Sequence, residues 1–173
     1  MKKLAILLLT MTMILTVAAC GRKRTTAPLS GTMEENINKI MQANSVDFMG
    51  SVIKPDLKDT SEEGLWVLKS MTGLDSAEKI TDVAVYEPLT GSQAFSLVMV
   101  RVADGAETQA VAKQMKENIN PAKWICVSAD EVMAAGYGDV IMFIMLDSAL
   151  GKSAQSYVDA FATLCGSQPD FTI

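Results

Sequence analysis

The apolar positions of the chain form three successive patterns. From Leu4 to Ala19 they run unbroken by charge (LAILLLTMTMILTVAA), behind Lys2 and Lys3, and the run stops at Cys20. From Thr32 they take helical spacing: Thr32-Met33-Glu34-Glu35 fits a capping box, and Met33, Ile37, Ile40 and Met41 then line one face, which predicts a helix over Met33–Asn44. A second capping box, Thr60 to Glu63, opens a helix through Leu65, Leu68 and Met71 that Gly73 can terminate, with one more turn over Asp75–Ile80. Residues 45–59, with Gly50 and Pro55, read as an irregular connection between the two.

From residue 80 the spacing is that of strands. Ile80–Glu87 and Gln93–Val102 flank a turn at Pro88–Ser92 and predict a hairpin. A helix from about Ala106 to Asn118 follows, with Val111, Met115 and Ile119 four apart and Pro121 closing it. The order then repeats: a strand from Trp124 to Met133, a turn at Gly136-Tyr137-Gly138, a strand over Val140–Leu146, and a helix over Lys152–Cys165 capped by Gly166. The expected fold is α+β: a four-stranded, mainly antiparallel sheet built from two ββα units, with their helices on one face and N-terminal helices preceding them. The second and fourth strands are apolar on both faces, so the other face must be covered as well, by the N-terminal helices or by a partner.

The first apolar run is short for a membrane span, which needs about 20 residues, and has the form of a signal-peptide core. Leu15-Thr16-Val17-Ala18-Ala19-Cys20 resembles the bacterial lipoprotein box, which implies diacylglycerol on the Cys20 thiol and cleavage between Ala19 and Cys20. An uncleaved N-terminal anchor and an ordinary secretory signal are the alternatives. Against the anchor, Arg22, Lys23 and Arg24 would have to lie on the outer side, contrary to the positive-inside rule. Two acyl chains, at about 0.8 kcal/mol per buried CH₂, hold where one exchanges. The expected organisation is a signal peptide over residues 1–19, a lipidated cysteine and flexible basic linker over 20–31, and a single extracytoplasmic domain over 32–173.

Charge sharpens this picture. Beyond residue 24 there are 10 basic residues against 20 acidic ones, a net −10, while the linker carries +3. An acidic body on a basic tether favours an anionic membrane surface for the tether and disfavours nucleic acid as a partner. With no histidine, every imidazole-dependent hydrolase and every His-ligated metal is excluded. Cys126 and Cys165 are placed at opposite ends of the layer and read as buried thiols rather than a disulfide, and Cys126 has no imidazole to activate it. Asp130, Glu131 and Asp139, with Tyr137, fall around the second hairpin loop, where they read as a solvated tip or a cation site that matches no EF-hand spacing. No catalytic residue, metal ligand or cofactor is expected.

The lipoprotein box, the leading helix and the segment from Ile80 to Leu146 (ITDVAVYEPLTGSQAFSLVMVRVADGAETQAVAKQMKENI, then GDVIMFIML) together resemble a lipoprotein family of Gram-positive, clostridia-type bacteria, the uncharacterised domain-of-unknown-function 4358 family. The resemblance covers most of the mature domain and implies a cell-membrane lipoprotein, with no activity attached. Two functions follow as expectations. One is a non-catalytic binding or assembly module on the outer face of the membrane, held by diacylglycerol on Cys20, with an envelope protein or a second copy as partner. The other is an envelope hydrolase, which would need Glu87 and Asp130 or Asp139 about 5 to 10 Å apart in one cleft.

Overall fold

In the computed structural model, which describes residues 28–173, the first capping box is formed as its sequence requires. The Glu35 N–H donates to the Thr32 hydroxyl and the Thr32 N–H to the Glu35 carboxylate, and they open α1 (Met33–Ala43). Met33, Ile37 and Ile40 are buried along it. There follow β1 (Gly50–Ile53), α2 (Glu62–Thr72), β2 (Ile80–Pro88), β3 (Phe95–Val102), α3 (Thr108–Asn118), β4 (Glu131–Tyr137), β5 (Val140–Leu146), α4 (Ala154–Cys165) and β6 (Phe171–Thr172). The second helix is capped one residue later than its sequence suggests, by Ser61, whose hydroxyl accepts from the Gly64 N–H. Among the described residues no helix is long and apolar enough to cross a membrane.

The sheet has six strands in the order β1-β2-β3-β5-β4-β6, antiparallel throughout, which corrects the expected four. Both extra strands are edge strands too short for a period to show. In β1, Val52 lies opposite Tyr86 and Gly50 opposite Pro88, and a side chain at Gly50 would collide with the Tyr86 ring. In β6, Phe171 lies opposite Gly136.

Gly136 and Tyr137 are strand, not loop, since they pair with Ile141 and Val140 of β5, and the ring of Phe171 lies where a Cβ on Gly136 would go. The chain reverses over Gly138-Asp139 alone, with Gly138 at φ 58°, the positive φ that a two-residue hairpin turn demands. The expected third strand thus slides from Trp124–Met133 to Glu131–Tyr137, leaving residues 124–130 as loop.

The two central strands explain the apolar runs. Phe95, Leu97 and Met99 of β3, with Met142, Ile144 and Leu146 of β5, face α1 and α4. Val98, Val100 and Val102, with Ile141, Phe143 and Met145, face α2 and α3. The fold is thus three-layered, with an N-terminal helix on each face, and the helices of the two ββα units lie on opposite faces rather than on one. The links to the two helices differ as well: residues 103–107 turn with Gly105 at φ 81°, whereas a 3₁₀ turn at Ser148–Leu150 precedes α4.

The chain enters the domain at the end of the sheet where β3 finishes. Arg101 pairs with Asp139 at 2.7 Å and donates to the carbonyls of Leu29 and Gly31 at 2.7 and 3.1 Å. Leu29, within the expected linker, is only 8% exposed and packs in the α1/α4 core.

Candidate functional site

At the opposite end of the sheet, on the α2/α3 face, a cleft of about 690 Å³ opens where β2 finishes. Ile53, Trp66, Met71, Glu87, Lys123 and Trp124 line it, and Lys69, Ser70, Asn118 and Asn120 complete the lining. Leu68 and Met71 serve the core below α2, while Trp66, two positions before Leu68, comes off that stripe and is 69% exposed. The loop after α3 brings in Lys123 and Trp124, and the Ile125 N–H holds it to the β2–β3 turn by donating to the Gly91 carbonyl at 2.7 Å. Cys126 follows at φ 61°, a left-handed conformation unusual for a side chain with a Cβ.

Both lysines of the cleft are already paired with carboxylates. Lys123 Nζ lies 2.6 Å from Glu87 Oε1, with the two side chains 15% and 14% exposed. The same carboxylate oxygen accepts from the Ser96 hydroxyl at 2.7 Å. Lys123 also lies 5.3 Å from the centre of the Trp124 ring, within cation–π range. Lys69 pairs with Asp75 at 2.7 Å, and that ammonium holds the Asp75 carboxyl below the usual carboxylate range. The buried Nε1 of Trp124 has no hydrogen-bond partner among the described residues. The site is thus an aromatic and apolar floor whose lysines are paired.

The sequence-derived acidic cluster does not assemble. The full length of β4, about 20 Å at 3.3 Å per residue, separates Asp130 and Glu131 from Asp139. Asp130 binds Ser148, whose hydroxyl and then N–H hold its carboxyl low. Glu131 takes the Ala154 N–H at the start of α4 at 2.6 Å, and Asp139 holds Arg101. Among the described residues no three His, Cys, Asp or Glu side chains are placed to hold a metal ion.

Glu87 is the one carboxylate in the cleft, with neither Asp130 nor Asp139 in its lining. Cys126 is exposed in the loop rather than buried in a strand, and Cys165 is half-buried, its thiol pushed up to about 12 by burial and then by Asp170. Both thiols are free. Cys20 and Ala19 lie outside the described residues.

Sequence reasoning missed the cleft, though one signal was present. Trp66 breaks the apolar stripe of an amphipathic helix, and a large aromatic on the polar face asks for a partner. Nothing local announces that Lys123 will meet Glu87, 36 residues away. Set against protein-family models, curated proteins and solved structures, the chain matches none of them.

Proposed function

We propose that the protein is a cell-membrane lipoprotein, anchored by diacylglycerol on Cys20 on the extracytoplasmic face, and that its folded domain is a non-catalytic binding module. One observation carries the binding reading: an exposed indole, Trp66, overhangs a concave cleft whose lysines are both paired with carboxylates. Such a surface offers contact area and fixed hydrogen-bonding groups but no free nucleophile or acid–base pair. A hydrolase acting through two carboxylates would need a second one across the cleft from Glu87, and the lining supplies none.

The lipoprotein reading, and with it membership of the 4358 family, rests on the sequence features around Cys20 and on the segment Ile80–Leu146. The geometry suits such a tether. Leu29 and Gly31 are held at the Arg101 end of the sheet, and the cleft opens at the Glu87 end. The eight residues of β3 put about 25 Å between them, so the cleft faces away from the point where the chain enters.

The test is a photo-crosslinking amino acid placed at position 66 in living cells, with the same group at exposed Gln155 on α4 as control. An envelope adduct at 66 that is absent at 155 is expected. Equal labelling at both sites, or none at 66, would sink the binding reading.

A further inference from the structure

We infer that the cleft takes a neutral glycan, a chain of uncharged pyranose units stacked on Trp66; this rests on the binding-module reading above. A pyranose ring has an apolar face of C–H groups and a girdle of hydroxyls. It matches a flat indole, 69% exposed, beside the side-chain amides of Asn118 and Asn120. Charge selects against other ligands. Lys69 and Lys123, the two cations in the lining, are taken by Asp75 and Glu87, so an anionic polymer meets no unpaired ammonium there. The surrounding domain, at net −10 beyond residue 24, repels it further.

A cationic ligand would have to displace Lys123 from Glu87, the carboxylate among the described lining residues. The Trp124 Nε1–H, which has no acceptor among the described residues, is itself buried and so lies out of a ligand's reach. Hydrophobic Met49, Leu89 and Ile125 are exposed near the same end of the sheet, which makes an apolar peptide the competing occupant.

The protein has two tryptophans, and both line the cleft, so emission excited selectively from tryptophan, not tyrosine, reports this site. Full-length protein in detergent is titrated with the β-1,4-linked tetramer of N-acetylglucosamine, with equilibrium dialysis as a second readout. A saturable change in tryptophan emission is expected. Trp66→Ala should weaken binding about tenfold, the loss of a stacking contact worth about 1.4 kcal/mol, while Trp66→Phe keeps most of it. Trp66 is on the solvent side of a helix, where alanine leaves the fold intact.

No binding by either readout, or equal affinity in Trp66→Ala, overturns the glycan inference. Saturable binding of an apolar peptide at Trp66 without any sugar binding also overturns it, yet leaves the binding module standing. Loss of every position-66 adduct in cells removes the module itself.

Discussion

Lys123→Met strips the ammonium from Glu87 and should lower stability by about 3 kcal/mol. The two charges lie 2.6 Å apart with 15% and 14% of their side chains exposed. Breaking a fully buried pair by removing one partner costs about 3–5 kcal/mol, because an uncompensated charge stays behind, whereas an exposed pair is worth about 0–1. The residual exposure puts this pair near the lower end of the buried range. What stays behind is also fixed. Glu87 sits in the ladder between β1 and β3 and keeps only the Ser96 hydroxyl.

The converse change, Glu87→Gln, should cost less, about 1–2 kcal/mol. Its amide oxygen still accepts from Ser96, and Lys123, on a loop, still reaches the Ser70 carbonyl and the Ser96 hydroxyl at 3.5 and 3.4 Å. The double variant should then be more stable than Lys123→Met alone, since no buried charge is left unpaired. Urea unfolding reads these differences directly, and for a domain of this size Lys123→Met should lower Tm by roughly 6–12 °C. A Lys123→Met protein within about 0.5 kcal/mol of the parent would show the pair to be an ordinary surface contact and refute the reasoning.

Three further outcomes follow from the packing. Gly73 is at φ 77°, and a Cβ there would overlap the Met115 carbonyl oxygen of α3, so Gly73→Ala should cost about 2–4 kcal/mol in a urea melt; a change under 1 would refute it. A maleimide at pH 8 should label Cys126 within minutes and Cys165 only on unfolding, and reductant should leave the melting curve unmoved, since both thiols are free.

Burial raises both the Cys165 thiol, to about 12, and the Tyr157 hydroxyl, the latter helped by Tyr86. In the unfolded chain these groups ionise near about 8.5 and 10, so their contribution is complete below about pH 8.5 and is lost as the pH rises toward 12. A lower urea midpoint at pH 10.5 than at pH 7.5 is expected. An equal midpoint would contradict that assignment.

Local signals were legible where one residue does one job. Thr32 with Glu35, and Gly73 and Gly166 at φ 77° and 69°, mark helix ends because capping chemistry acts within four residues. The two-sided apolar runs of β3 and β5 required cover on both faces, and α1 with α4, and α2 with α3, provide it. What stayed hidden depends on partners distant in sequence. β1 is a strand only because Val52 and Gly50 find Tyr86 and Pro88, and Gly136 reads as a turn residue until Phe171 lies against it. Val98 and Val100, which look equivalent to Ile144 and Leu146 along the chain, point to the opposite layer, because side-chain direction is fixed by register and not by hydrophobicity. The cleft combines α2, β2 and the loop after α3, so of its parts only the misplaced indole of Trp66 was visible beforehand.

The tether is the central claim about where this domain works, and the mass of the mature N-terminus tests it most directly. Protein extracted from membranes and digested should yield an N-terminal peptide that begins at Cys20 and carries diacylglycerol on its sulfur, and Cys20→Ala should leave an unprocessed precursor or a protein released from the membrane. A mature chain that begins elsewhere, or a Cys20→Ala protein processed and retained on the membrane without lipid, would contradict the account.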